Sequence, residues 1–192
     1  MRLPVVVLAL LVLLPLVHAG TQADPEIVDS PPLLDAAYGA LRGDTTLDAP
    51  EINLVAAWFD MNETTIEVTW EVVNASHRFK SPEALGFSMG FDCNGTLLGV
   101  DAYVQESPNF IGGTLEFYPA HLQASVDGNL IHVEVPRSAL AAVGCSTVLR
   151  HTIASSLLAI STTDPNFKSG GGSLWFRDRA PDVGYGRDFA LT

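Results

Sequence analysis

From Glu51 onward the chain alternates apolar and polar residues with a period of two, the pattern of strands with one buried face. The clearest run is Thr64 to Val73. Ile66, Val68, Trp70 and Val72 fall on one side of it, and Thr65, Glu67, Thr69 and Glu71 on the other. One dry face and one wet face are the habit of an antiparallel sheet. The preceding run, Glu51 to Phe59, is apolar on both sides. An even-length turn over Asp60 to Glu63 sets Val55, Ala57 and Phe59 on the buried face, and Ile52, Leu54, Ala56 and Trp58 then point the other way. That second face is either covered or displays Trp58 for a reason.

Two hairpins follow from turn chemistry. Asn94-Gly95 is the pair a type I′ turn asks for, because both central positions need positive φ. A two-residue loop there pairs Cys93 with Thr96, Phe91 with Leu98, Met89 with Val100 and Phe87 with Ala102, and a one-residue slip would break every apolar match. Ser88, Asp92, Asp101 and Tyr103 then share the opposite face. A second turn at Asp127-Gly128-Asn129 matches Leu122, Ala124 and Val126 to Ile131, Val133 and Val135, with His121 and His132 on the wet face. Pro136 closes that strand, residues 138–143 predict one short helix, and Gly144 stops it. Residues 148–161 read as a long strand, with helix over 154–159 as the alternative, and residues 174–176 as a short one. Residues 20–50, broken by Pro25, Pro31, Pro32 and Pro50, predict an extended N-terminal segment, in which Leu33, Leu34, Ala37 and Leu41 allow one short helix. The whole predicts an all-β domain over 51–192, an antiparallel β-sandwich of immunoglobulin-like or jelly-roll type, with an up-and-down barrel as the alternative.

Residues 1–19 carry a different signal. Arg2, the apolar run from Val5 to Leu14 and the small-residue site Val17-His18-Ala19 have the layout of an export signal cleaved near Ala19. Its loss takes 19 of the 192 residues and leaves 173, and because only Arg2 goes with it the net charge moves from −12 to −13. One domain with a single core is expected at that size. So acidic a chain is a poor partner for nucleic acid or anionic membranes. No second apolar run approaches the roughly 20 residues of a spanning helix, so no membrane span is expected in the mature chain. The expected location is secreted. In that setting Cys93 and Cys145, the two cysteines of the chain, predict one disulfide. Asn62, Asn74 and Asn94 each open an N-x-S/T sequon at an expected turn or strand end and are candidate glycosylation sites.

Four chemistries have candidate residues. Gly86-Phe87-Ser88-Met89-Gly90 matches the G-x-S-x-G nucleophile pattern of a small secreted serine hydrolase, but that chemistry needs a strand-to-helix turn. Here the motif runs into a hairpin, so the simpler reading is two glycines relieving a crowded strand. His121 and His132 could approach across the second hairpin to hold zinc, but no H-E-x-x-H or H-x-H spacing marks such a site. Calcium suits the chain better, in a stabilising role with Asp44, Asp48 and Glu51 before the first strand or Asp178 and Asp182 after the last as ligands; no other cofactor is expected. Sugar binding needs flat rings beside carboxylates or amides, and Trp58, Tyr103 and Trp175 are the rings left off the core face or in a loop, with Asp101 and Gln105 beside Tyr103.

Val135-Pro136-Arg137-Ser138-Ala139-Leu140 at a strand-to-helix junction, Asp178-Arg179-Ala180-Pro181-Asp182-Val183-Gly184 near the C-terminus, and the Asn-Gly hairpin resemble secreted β-sandwich modules related to family-nine carbohydrate-binding modules and the DOMON-like group. The resemblance spans residues 44–188. It implies a non-catalytic module whose partner is a carbohydrate or a surface protein, haem being the ligand of some DOMON domains. The expectation carried forward is a secreted binding module, with the Ser88 hydrolase and a calcium-stabilised structural or adhesion domain as rivals.

Overall fold

The computed structural model describes residues 20–29, 36–38, 50–75, 83–105, 110–162 and 172–191. The export signal expected at 1–19 and the candidate ligands Asp44 and Asp48 lie outside them. Twelve strands and one helix occur among the described residues: β1 (Ile27–Val28), β2 (Ala36–Tyr38), β3 (Leu54–Met61), β4 (Thr65–Val72), β5 (Glu83–Cys93), β6 (Thr96–Gln105), β7 (Phe110–Leu115), β8 (His121–Asp127), β9 (Leu130–Pro136), α1 (Arg137–Ala142), β10 (Val148–Thr162), β11 (Gly172–Ala180) and β12 (Phe189–Ala190). The fold is mostly antiparallel β-sheet. The strands follow one hydrogen-bonded path, β1-β3-β4-β9-β8-β7-β6-β5-β10-β11-β2, with β12 on β10.

That path curls into a half-barrel. The bend lies at β7 and β8, which share only the pairs Gly113–Leu122 and Thr114–His121. A Cβ on Gly113 would stand 2.7 Å from Cγ1 of Val133, so the missing side chain is what lets β7 close over β9. Across the interior β11 meets β3, and β6 meets β9. At the far side the C-terminal segment bridges two other elements: Gly186 N–H donates to Thr152 O and Arg187 N–H to Glu26 O, both at 2.9 Å.

The enclosed core is the one the alternation predicts. Ile66, Val68, Trp70 and Val72 of β4 are all buried, and so are Phe87, Met89, Phe91 and Cys93 of β5. Phe59 packs edge-on to Phe91 at 6.1 Å and stacks on Phe189 at 5.2 Å. Trp70 lies 6.1 Å from Phe87, and its indole N–H donates to the Ser88 carbonyl at 3.2 Å. Each such side chain contributes about 1.5–3 kcal/mol by leaving water.

The Asn94-Gly95 hairpin has the predicted register throughout, from Cys93–Thr96 to Phe87–Ala102. Asn94 and Gly95 have φ of 55° and 82°, as the tight turn requires. The second hairpin turns on Gly128-Asn129, pairing Val126 with Ile131 and Ala124 with Val133. Helix α1 ends where predicted: Gly144 has φ of 83°, and Cys145 N–H reaches back to Leu140 O at 2.8 Å. The disulfide Cys93–Cys145 then ties the hairpin to the helix exit, with Cα atoms 5.5 Å apart.

Three expectations need correction. A bulge between Leu54 and Ala56 shifts the β3 register, so Leu54 faces Val72 and is buried, while Val55 is only half-buried. The stretch that allowed a helix supplies β2 instead, where Ala36, Ala37 and Tyr38 pair with β11. The short strand read at 174–176 is longer and runs over Gly172–Ala180, whereas the long strand expected over 148–161 is present as Val148–Thr162, with no helix over 154–159.

Candidate functional site

Strand β5 shows two unlike faces. Its inward residues are large, whereas its outward ones read Gly86, Ser88, Gly90 and Asp92. Neighbouring strands fix what stands beside them. Ser88 lies between Asp101 of β6 and Ser155 of β10, and Gly86 between Tyr103 and Leu157. Arg177 of β11 extends the second row beyond Leu157. Tyr103 and Leu157 thus flank a bare backbone, two strand spacings or roughly 9.5 Å apart.

The result is an open groove of about 420 Å³ lined by Ser88, Asp101, Tyr103, Ser155, Leu157 and Arg177, with Gly86 in its floor. A Cβ on Gly86 would meet nothing nearer than the Ala102 carbonyl at 3.9 Å. The glycines therefore do not relieve a crowded strand, as the sequence suggested. They leave its outer face empty. Gly90 pairs with Gly99 further along, and a Cβ at either would find only contacts of 3.7 Å or more.

The groove offers hydroxyls from Ser88 and Ser155, a carboxylate from Asp101, a guanidinium from Arg177, and apolar edges from the Tyr103 ring and Leu157. Leu157 and Arg177 are exposed, and the first row is half-buried. The Tyr103 hydroxyl meets His121 Nδ1 at 3.3 Å, so β8 reaches across to orient the ring. Ser156, buried on the other face of β10, donates to the Ile52 carbonyl and ties the groove floor to the chain before β3. Such a surface can hydrogen-bond and stack against a polar ligand.

Ser88 sits in mid-strand and not on a strand-to-helix turn, so no nucleophile elbow is formed. Among the described residues His121 bonds Tyr103 and His132 bonds Thr69, and no histidine bonds Ser88.

The remaining candidates scatter. Trp58 does not offer an exposed ring: it is buried at 6% exposure, opposite Thr69 on a covered face. Trp175 falls in β11 against Ala159 and Tyr38, and its side chain lies outside the described part. Asp178 is fully buried and is committed to backbone: Oδ2 accepts the Leu54 N–H at 2.6 Å and Oδ1 the Arg179 N–H at 3.0 Å. The bulge in β3 is held to β11 by that carboxylate, whereas Asp182 is exposed on a turn. Among the described residues no group of three or more His, Cys, Asp and Glu is arranged to hold a metal ion. Asn62, Asn74 and Asn94 are all exposed. His121 and His132 do not converge, since His132 pairs with Ser125 and lies beside Glu67 at 3.3 Å. Among the described residues no helix is long and apolar enough to cross a membrane.

Of the predicted binding residues, Asp101 and Tyr103 are brought together. Sequence reasoning missed Leu157, Ser155 and Arg177, which arrive by long-range pairing of β10 and β11. The alternation of glycine with Ser88 on one face was the available signal. No protein-family model, no curated protein and no solved structure matches this chain.

Proposed function

We propose that this protein is a secreted, non-catalytic binding module whose groove over Gly86 holds a hydroxyl-rich ligand of the carbohydrate class. The observation that carries the reading is the pairing of Tyr103 with Asp101, Ser88 and Ser155 around a floor without side chains. A sugar ring presents an apolar face and a girdle of hydroxyls. The first suits the Tyr103 ring and Leu157, and the second suits the carboxylate, hydroxyls and guanidinium. The inference agrees with the resemblance to family-nine carbohydrate-binding and DOMON-like modules, and it takes the curled sheet as an open sandwich whose corner is the short β7–β8 pairing. Residues 1–19 are read as the leader, and the exposed Asn62, Asn74 and Asn94 as positions open to glycan attachment.

The test is a glycan array on exported protein, followed by titration calorimetry on the best oligosaccharide. Tyr103→Ala and Asp101→Ala should each weaken binding at least tenfold, about 1.4 kcal/mol, while melting within a few degrees of wild type. Wild-type affinity in both variants, or no glycan bound at all, overturns the proposal.

A further inference from the structure

The first described residue is an unusual place for a glycine. Gly20 is buried, and its N–H donates to the Phe59 carbonyl at 2.9 Å. The Glu26 carboxylate lies against its Cα: a Cβ there would stand 2.5 Å from Cδ and 2.6 Å from Oε1, and would overlap Oε2. Glu26 is itself only 4% exposed, and its Oε2 is fixed by the Phe59 N–H at 3.0 Å. With about 2.5 Å between N and Cβ in standard backbone geometry, both carboxylate oxygens fall within roughly 5 Å of the Gly20 nitrogen.

The surrounding chain is clamped. Thr21 and Asp24 close a tight turn by mutual backbone bonds. Arg187 donates to the Asp24 carboxylate at 2.8 Å and to the Asp24 and Pro25 carbonyls. Gly186 passes so close that a Cβ would lie 2.5 Å from Ile27 and 2.6 Å from Thr152. Ile27 and Val28 then pair with β3. Residue 20 is therefore held in place by the fold and not merely appended to it.

We propose that hydrolysis of the Ala19–Gly20 bond by a leader-processing protease creates an α-ammonium at Gly20 that docks as a buried ion pair on Glu26. Water adds across the amide: Ala19 leaves with a carboxylate, and Gly20 takes up protons to become –NH3+. The single amide N–H of the precursor serves Phe59 O. The ammonium keeps that bond and turns its further protons toward the carboxylate. A positive charge brought within about 5 Å of a buried carboxylate favours its ionised form, so the new ammonium stabilises the processed chain over any N-terminally extended one. A side chain at this position would have to displace the Glu26 carboxylate from the place where the Phe59 N–H holds it. The inference rests on the export-leader reading of residues 1–19 and is independent of the groove.

The full chain is expressed with its own leader in a secreting host, and the exported product is sequenced from its N-terminus. A first residue of Gly20 is expected; any other start overturns the proposal. A leader carrying one added alanine after Ala19 yields a chain beginning Ala-Gly. That form should melt at least about 5 °C below the native one, and Glu26→Gln should erase the difference between the two starts. Identical melting of the two forms refutes the ion pair. Should Glu26→Gln not fold, acylation of the α-amine decides. Labelling at least tenfold slower in the native state than in urea supports docking, and equal rates overturn it.

Discussion

Gly86 and Gly113 belong to the same continuous sheet, two strands apart along its path, and their missing side chains do opposite things. At Gly113 the space is already taken: Val133 and Leu122 fill it to within 2.7 and 3.3 Å of where a Cβ would be. The sheet bends there because β7 can touch β9. At Gly86 nothing stands within 3.9 Å, and the emptiness itself makes the groove. One glycine serves packing and the other serves access. Residue type alone does not say which, and the difference is decided by which face of the sheet each occupies.

The inner face of the β5–β6 hairpin sets the scale for what packing contributes. Phe91 is fully buried against Phe59, and Phe91→Ala should cost about 3–5 kcal/mol, read as a lower denaturant midpoint with the slope unchanged. A loss below 1 kcal/mol would mean the hairpin's inner face is no more committed than its outer one. The disulfide sits at the end of that same inner face. Cys93→Ser with Cys145→Ser should lower stability by about 2–4 kcal/mol, because the bridge closes a loop spanning 52 residues. An unchanged unfolding transition would show the hairpin tip to be held without it.

Gly113→Ala probes the bend directly. The added methyl meets Val133 and Leu122, both in the core, so one of them must shift to make room. Overpacking of this kind costs about 1–3 kcal/mol. A neutral result would mean the sheet opens at β7–β8 without penalty, and the contrast with Gly86 would lose one of its sides.

Much of this organisation was legible in the chain, and what was not has identifiable causes. The hairpin register at Asn94-Gly95 was fixed because turn type and apolar matching agree on every pair from Phe87 to Cys93. Helix α1 and its Gly144 stop were equally local. The Leu54–Ala56 bulge was not visible: inserting one residue reverses the facing of the chain before it without changing its composition. The run allowing a helix over 33–41 had apolar spacing to suit, but Ala36–Tyr38 takes its partner from β11, far along the sequence. The groove failed for the same reason. Asp101 and Tyr103 could be placed on one face from a single hairpin, whereas Ser155, Leu157 and Arg177 depend on β10 and β11 arriving beside β5.

The smallest expected change in stability carries the sharpest functional result. Gly86 has an ordinary strand backbone, with no positive φ that would resist a side chain, and valine suits a pleated sheet. Gly86→Val should therefore change stability by less than about 1 kcal/mol, and toward greater stability, because a glycine inside a strand gives up packing and chain entropy. The isopropyl group would rise between Tyr103 and Leu157 and fill the trough. Ligand affinity should fall by tenfold or more while the melting curve holds or moves upward. Lost binding accompanied by lost stability would place the glycine in the same class as Gly113. Retained binding at raised stability would show that the ligand does not use the bare floor, and the two glycines would then differ only in how crowded they are.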